Sequence, residues 1–566
     1  METRWVLKHP DFDLVRSLSR ELDCHEAVAA ALVNRDMASP DKARRFLAPC
    51  IADLSNPFCF ADMDKAVQRV WQAVSCNEKI CIFGDYDADG ITSTALMQEF
   101  LGALGADCST YIPHRVDEGY GLKDEHVPVL SAYQLVITVD CGISSHHAIE
   151  MLAREGVAVV VTDHHTPGPT LPPAVAVINP KRGDCPSGRS FLAGVGVAFF
   201  LCVCVRAFAR EKGFFGKRAE PNLKEMLDLV AIGTLADVVP LVEENRILVS
   251  TGLEVIQKRR RPGIAALLDV SGAGLGPVTE QQVLFGLAPR INAAGRLEHA
   301  DAALELLLTD DSCKASDLAG RLNSINLARR SVEKEMLEQG LALLAEHPSL
   351  AAAKILVLWD ENWHPGVMGI VASRLAQRFH KPVALLSLQD SLAKGSARSV
   401  AGIDLHRCLT DCEDLLEAFG GHAMAAGLTL KQENIKALVT ALNQAVENRA
   451  DEQAFARTLT ADWVLDLNSA DERLALELDM LRPFGPGNEE PVFAAHDLSV
   501  SWSRLAGEKH LVMGWLQANA PTRQAIWFGA GACLTKGEFL SGALFHVRKN
   551  PYGNGKSVQL VARDVR

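Results

Sequence analysis

The sequence predicts an α/β protein with two strand-and-helix lobes and a small C-terminal β-barrel, and three observations lead there. From about residue 78 strand-like and helix-like segments alternate: KICIFGD precedes GITSTALMQEFLGALGA, YQLVITVD precedes GISSHHAIEMLAREG, and VAVVVTDHH follows. A second alternation, AKILVLWD, GVMGIVASRLAQRFH and KPVALLSL, lies beyond a long helical stretch. From about residue 460 short alternating segments, KHLVMGWL, QAIWFGAG, GALFHVRKN and KSVQLVA, read as a small antiparallel barrel. Strands alternating with helices imply a mostly parallel sheet with helices on its faces.

Composition narrows the class. A chain of 566 residues is long enough for about three or four domains. Its 48% hydrophobic and 22% charged content marks compact material rather than disorder. The most apolar run, FLAGVGVAFFLCVCVRAFA, is interrupted by small residues and an arginine and reads as a buried core helix. The N-terminus METRWVLKHPDFDLV is too polar for a signal peptide, so the expected location is cytoplasmic. The 14 cysteines include no CxxC pair, only Cys202 with Cys204 and Cys408 with Cys412, which argues for reduced core thiols over zinc or disulfides. With 57 basic and 70 acidic residues the formal charge is -13, so any nucleic acid must follow a local basic track on an acidic body.

Residues 1 to about 50 read as helical; in SPDKARRFL, Ser39 is a helix cap, Pro40 occupies the first turn and Asp41 sits near the positive dipole end. The three following strands end in Asp85, Asp140 and Asp163. Ligands of open parallel sheets sit outside the carboxyl ends of the strands, so these acids share one edge. One such aspartate is as readily a helix cap; three, followed by two histidines, define a site. Adjacent residues on a strand face opposite ways, but at a strand end the rings of His164 and His165 can reach one cleft. In FGDYDADG the acids Asp85, Asp87 and Asp89 alternate, without the spacing of an EF-hand or the Gly-Lys-Ser/Thr of a P-loop. Hard oxygen ligands with one imidazole nitrogen suit Mn²⁺, and Asp237 in IGTLADVVPL can complete a two-metal site.

GDYDADG, VDCG, TDHH and GTLADVVPL resemble the successive motifs of the DHH phosphoesterase family, named for its Asp-His-His triplet. HRVDEGYGL, LAGVGVAFFL, APRINAAGRL, HPGVMGIVASRL, GSARS and FGGHAMAAGLTL resemble, more narrowly, its bacterial single-strand-specific exonucleases, from about residue 55 to the C-terminus. The resemblance implies a two-lobed DHH core and a C-terminal oligonucleotide-binding (OB) fold. It also implies a 5′-to-3′ exonuclease of DNA repair and recombination that releases 5′-mononucleotides from single-stranded DNA with two Mn²⁺ or Mg²⁺ ions. The implied divisions are a helical region at 1–54, the DHH domain at 55–300, a helical connector at 301–348, a DHH-associated phosphate-binding domain at 349–455 and the OB domain at 456–566.

By matching motifs, Asp85, Asp87, Asp140, His164 and Asp237 become the metal ligands, with Asp140 bridging. Asp163 orients a histidine, and His165 contacts the phosphate or supports the cluster. Related enzymes often place histidine where this chain has Cys81, which puts full protein ligation of one metal in doubt. Arg296 adds a guanidinium to the scissile phosphate, with Arg290 as a further candidate. Ser396 and Arg398 bind the terminal 5′-phosphate beside Gly421 and His422, and Arg115 is another phosphate contact.

In the connector, Leu318, Leu322, Ile325, Val332, Met336 and Leu344 recur at helical spacing and charged residues occupy the remainder. In the barrel, Trp515, Trp527 and Phe545 are candidates to stack bases, with core packing as the competing reading, and Lys549 and Lys556 to contact backbone. YGNGKS lacks the first glycine of a nucleotide-binding loop and reads as a hairpin turn. The barrel is thus expected to be an accessory module. Expected partners are single-stranded DNA with a 5′ end, a helicase and a single-strand-binding protein. The competing functions are a DHH phosphodiesterase of cyclic dinucleotides or short oligonucleotides, and a non-catalytic DNA-binding replication scaffold.

Overall fold

The structure, a computed structural model, describes residues 3–115, 117–274, 276–507, 509–530, 533–550 and 558–566. The chain divides into two compact units, one built mainly from 56–237 and 252–457, the other from 3–55, 238–251 and 458–566.

The first unit opens with five parallel strands: β1 (Ile80–Gly84), β2 (Cys108–Tyr111), β3 (Leu135–Val139), β4 (Ala158–Thr162) and β5 (Ala176–Ile178), in the spatial order β2-β1-β3-β4-β5. β1 and β3 are buried at every position, which is why they read as apolar runs rather than alternations. The helices that matter for the site are α1 (Ala88–Ala103), α2 (Gly194–Glu211), α3 (Leu227–Ala236) and α4 (Ala288–Leu297). α2 is the expected core helix, buried along most of its length; among the described residues no helix is long and apolar enough to cross a membrane. All fourteen cysteines are free thiols; Cys81, Cys141, Cys202, Cys204, Cys408 and Cys412 are buried, whereas Cys50, Cys76, Cys313 and Cys533 are exposed, so core burial holds for only part of the set.

The connector expected over 301–348 is a short helix, Asp301–Leu308, followed by one of 35 residues, α5 (Ser312–Glu346), started by Asp311, whose Oδ1 accepts from Cys313 N at 2.8 Å. Leu322, Ile325, Met336 and Leu344 are buried as their spacing requires, while Leu318 and Val332 are half-buried. One charged residue breaks the expected division of faces: Glu333 lies inside the buried stripe.

The second sheet comprises β6 (Leu356–Asp360), β7 (Val383–Gln389), β8 (Leu392–Arg398), β9 (Ala418–His422) and β10 (Ala425–Lys431), with α6 (Pro365–Phe379) between the first two. Its order is β9-β10-β8-β7-β6, and only β6 and β7 run parallel. The glycine-rich stretches AKGSARSV and FGGHAMAAGLTL, read from sequence as phosphate-cradling segments, are strands of this sheet. Glycine weakens the strand signal, yet a Cβ at Gly395 would lie 2.5 Å from Leu386 Cδ2, so its absence lets neighbouring side chains fill the space.

The second unit joins the chain's two ends. Arg4–Leu7 pairs in parallel with Thr458–Ala461, and Ser39 caps the helix Pro40–Leu47 as expected, its Oγ accepting from Lys42 N at 3.4 Å. Phe493–Ala506 pairs with both His510–Leu516 and Phe539–Lys549, and Arg523–Trp527 and Val558–Val565 complete a closed five-stranded barrel. Two of the stacking candidates of this barrel fail. Trp515 and Phe545 are fully buried, their rings 5.6 Å apart inside the barrel, and cannot stack on bases; Trp527 is half-buried against the same core. The Lys549 ammonium is engaged with Asp479 at 2.8 Å. Lys556 and YGNGKS lie outside the described residues.

Nor is this barrel a detachable module, because Val15, Leu18 and Ala27–Leu32 of the N-terminal helices share one apolar core with Phe493, Trp515 and Phe545. Each such side chain exposed forfeits about 1.5–3 kcal/mol. A chain ended at Arg457 is therefore expected to expose the N-terminal helices' apolar faces, seen as strong ANS binding and aggregation in size-exclusion chromatography; a monodisperse, ANS-silent truncation would contradict the shared core.

Candidate metal and phosphate site

Parallel order carries Asp85, after β1, Asp140, after β3, and Asp163, after β4, to one sheet edge. Asp87 caps α1, its Oδ1 accepting from Asp89 N at 2.9 Å and Gly90 N at 3.1 Å, and Asp237 closes α3. Three overlapping groups result, Asp85–Asp87–Asp140, Asp140–His164–His165 and Asp89–His164–Asp237, each with one potential ligand atom per residue within 4.8 Å of the others.

Close backbone approaches make this convergence possible. Asp140 has φ 61°, a left-handed conformation that costs a non-glycine residue about 1–3 kcal/mol. Gly194, the first residue of α2, lies so near that a Cβ would be 2.4 Å from Asp140 Oδ1. What seats α2 there is Asp89, a residue the sequence reading left outside the ligand set. Its Oδ2 accepts from Gly194 N at 2.7 Å and its Oδ1 from Val195 N at 2.9 Å, capping α2 across 105 residues of chain. Only its place in the DxDxD alternation hinted at Asp89.

The protonation of His164 is set by its surroundings. Its Nδ1 is 3.1 Å from the Leu192 carbonyl oxygen, which can only accept, so Nδ1 carries the proton and Nε2 presents a lone pair. Burial and the charge of His165 pull its pKa down to about 3, so the ring is neutral. Nε2 lies 3.2 Å from Asp140 Oδ1 and 3.5 Å from Asp237 Oδ2, distances that would be salt bridges for an imidazolium but not for this neutral ring. Asp85 Oδ1, Asp140 Oδ1, His164 Nε2 and Asp237 Oδ2 are all buried without a hydrogen-bond donor. Orphaned carboxylate oxygens and one imidazole nitrogen turned toward each other fit divalent cations.

The electrostatics agree. Burial, reinforced by Asp87, pushes the Asp85 carboxyl well above the usual range; burial with Asp89 and Asp87 does the same to Asp140 and brings Asp237 up to about 9. Asp163 is the exception. Against burial, its carboxylate accepts from His164 N (2.7 Å), His165 N (2.9 Å), Ile143 N (2.9 Å) and His165 Nδ1 (2.8 Å), and these donors hold it below the ordinary value. Burial opposes a charge on His165, but the bond to Asp163 and the charges of Asp163, Asp237 and Asp85 lift it to about 9. The two adjacent histidines thus differ: His164 is neutral and His165 a cation. Tyr120, also missed as a site residue although its motif was noticed, places its hydroxyl 3.0 Å from His165 Nδ1 and 3.2 Å from the Asp140 carbonyl oxygen.

Guanidinium groups gather beside the acids. α4 sits on the first motif, Asn292 Oδ1 accepting from Ala88 N at 2.8 Å, and a Cβ at Gly295 would meet Tyr86 O at 2.5 Å. Arg296, on the last turn of α4, donates from Nη1 to Gly366 O at 2.9 Å, and burial with repulsion from Arg115 and Arg329 brings it down to about 9. Arg115 lies 4.8 Å over the Tyr86 ring and, with Gly366, Gln389 and Lys394, lines a cavity of about 200 Å³. Arg398 donates from Nη1 to Ser396 Oγ at 3.2 Å; a Cβ at Gly369 would be 2.7 Å from its Nη2. Gly421, at φ 137°, and the exposed His422 lie on β9, separated from β8 by β10.

One further candidate, Arg290, is corrected, and Cys81 is placed. Arg290 is engaged by Asn323 Oδ1 at 3.1 Å and by the carbonyls of Gly286 and Val270 at 2.6 and 3.1 Å, a structural role rather than a phosphate contact. Cys81 packs with Phe83 in an apolar cluster, and burial pushes its thiol up to about 12, so it stands as a neutral core residue.

A parallel sheet with this acid-and-histidine edge, joined to a second lobe that carries serine and arginine, defines a phosphoesterase of the DHH class. Residues 79–234 match the DHH family N-terminal domain, 349–448 the DHHA1 domain and 461–564 the RecJ OB domain. The chain is 37% identical over 569 residues to the single-stranded-DNA-specific exonuclease RecJ of Bacillus subtilis, spanning 99% of this chain and 70% of that one. It is 40% identical to its Escherichia coli counterpart over 83% of this chain and 84% of the relative. The crystal structure of RecJ in complex with Mn²⁺ from Thermus thermophilus superposes with a TM-score of 0.85 at 32% identity, covering 100% of this chain and 79% of that chain. The chain belongs to the RecJ family.

Asp140→Asn keeps the shape and removes the charge. It is expected to lower turnover by about 10²-fold or more, abolish Mn²⁺ binding in calorimetry, and raise the metal-free melting temperature near neutral pH by relieving like-charge burial; a lower metal-free melting temperature would contradict this account. The pH dependence has a definite sign. The raised carboxyls hold protons that the unfolded chain releases near pH 4, so metal-free stability falls as pH rises from about 4 towards about 9. A cation must displace those protons. The melting-temperature gain from Mn²⁺ is therefore expected to be larger near pH 8.5 than near pH 6, measured by differential scanning fluorimetry.

Proposed function

We propose that this chain is an exonuclease specific for single-stranded DNA, acting in repair and recombination, that digests from the 5′ end and releases 5′-mononucleotides with two Mn²⁺ or Mg²⁺ ions. The observation that carries the reading is one unit holding both an edge of orphaned acids and a cluster of guanidiniums, Arg115, Arg296 and Arg398, beside it. Single-strand specificity is in the names of its relatives, and solved relatives hold Mn²⁺ or Mg²⁺.

Asp85, Asp87, Asp140, His164 and Asp237 are the residues that would hold the ions, and Asp140 belongs to two of the three potential ligand groups. Two such cations supply a nucleophile at neutral pH and neutralise charge on the phosphoryl group. The remaining work belongs to the chain. Asp163 occupies His165 Nδ1, so Nε2 of the imidazolium is the position from which a proton is offered to a phosphate or leaving oxygen. Arg296, held by Gly366 O, adds a second donor to the scissile phosphate. Arg398, with Ser396, takes the terminal phosphate, and Gly369 leaves room beside it. Gly421 and His422 line the same region, and Arg115 guides the strand between lobes. Holding the first phosphate at a fixed place brings the next phosphodiester to the acids, which gives direction by position rather than base readout.

A nuclease confined to single strands needs a strand opened for it, which is the reason for proposing a helicase and a single-strand-binding protein as partners in the cytoplasm. Digestion of 5′- and 3′-labelled single strands with Mn²⁺, beside duplex DNA and cyclic dinucleotides, tests the assignment: early release of 5′ label from single strands alone is expected, and preferential cleavage of cyclic dinucleotides would overturn it. Arg398→Ala is expected to reduce the preference for a 5′-phosphate over a 5′-hydroxyl end by about tenfold or more, chiefly through KM. Single-turnover rates on matched oligonucleotides provide the check, and an unchanged preference would transfer the anchor to Arg115.

A further inference from the structure

The buried carboxylate of Glu333 has no role in the chemistry described so far. It projects from the middle of α5, and its side chain is only 2% exposed. Two guanidiniums from different helices meet it: Arg329 Nη1, one turn earlier on α5, at 3.2 Å, and Arg374 Nε, on α6. Arg329 is also held by Asn326, Nη2 donating to Oδ1 at 3.1 Å. Both Glu333 oxygens lack an aligned hydrogen-bond donor, so the contacts are charge-to-charge and depend on Glu333 being ionised.

The two helices that meet at Glu333, α5 and α6, adjoin the groups read above as phosphate-binding. The first turn of α6 supplies Gly366, whose carbonyl fixes Arg296, and Gly369, against which Arg398 and Ser396 pack. Arg329 is close enough to Arg296 for their charges to repel. Without a buried anion, Arg329, Arg374 and Arg296 would drive α5, α6 and α4 apart in the region where the phosphate must be gripped.

We infer that Glu333 is a positioning residue for the 5′-phosphate grip: by clamping Arg329 and Arg374 it holds α6, and so Gly366 and Gly369, in register with Arg296 and Arg398. The inference rests on the end-anchored reading above. It distinguishes Glu333 from a carboxylate that merely stabilises α5, because loss of register acts on recognition of the terminal phosphate, whereas a purely structural loss lowers all activity together.

The test compares Glu333→Gln, Glu333→Asp and Arg374→Gln with the unmodified full-length protein, on matched single strands bearing a 5′-phosphate or a 5′-hydroxyl. Melting temperature and Mn²⁺ binding are measured alongside. In Glu333→Gln the ratio of kcat/KM for the two ends is expected to fall about tenfold, through a raised KM for the phosphorylated strand, with Mn²⁺ affinity retained. Glu333→Asp should recover part of that ratio, and Arg374→Gln, altering a half-exposed partner, should move it the same way should Glu333→Gln fail to fold. Equal losses on both ends, or an unchanged ratio in folded Arg374→Gln and Glu333→Asp, would overturn the inference. An unmodified protein indifferent to the terminal phosphate would overturn the end-anchored reading itself, and this inference with it.

Discussion

Burial of like charge is the constraint on which the rest of this structure depends. Asp85, Asp89, Asp140 and Asp237 converge with a neutral His164, and the buried oxygens of Asp85, Asp140 and Asp237 are left without donors. In a medium of low dielectric such a set favours protonation, which is why burial lifts these carboxyls. The sheet supplies the edge, but close contacts hold the acids together: the left-handed backbone at Asp140, the missing side chain of Gly194 and the α2 cap made by Asp89. Asp163 shows the alternative environment. Four donors satisfy it, it stays ionised, and its charge makes a cation of His165 two residues on.

The acids have an opposite counterpart in the guanidiniums of Arg115, Arg296 and Arg398, and neither group neutralises the other directly. Arg296 gives a hydrogen bond to a backbone carbonyl, and Arg398 to its own strand and Ser396. Leaving the two charge sets apart keeps cation-attracting carboxylates on one side and anion-attracting guanidiniums on the other. The formal charge of -13 is therefore a poor guide to what this surface attracts. Glu333 is the contrasting case, a buried carboxylate paired with arginines and placed where the helices of both lobes meet.

Local chemistry was legible wherever it followed chain periodicity. The parallel sheet, the strand-end aspartates, the Ser39 cap and the long connector all follow from repeats of two or about 3.6 residues and from side-chain hydrogen-bonding capacity. Residue types with metal-ligand chemistry could be named for the same reason. Segments poor in apolar side chains were harder to read: GSARS is a strand in which Leu386 and Leu428, from the two neighbouring strands, fill the space left by Gly395, information that lies elsewhere in the chain.

The sequence by itself determined the order of elements and the kinds of group available at the strand ends, since both depend on neighbours within a few positions. Only the tertiary structure decided which of those groups lack partners. Asp89 became the cap of a helix 105 residues away, Trp515 and Phe545 turned into a barrel, Arg290 was taken up by carbonyls, and Glu333 went into a stripe that its charge argues against. Each outcome depends on contacts between distant segments, where burial and charge are set by what packs opposite rather than by spacing along the chain.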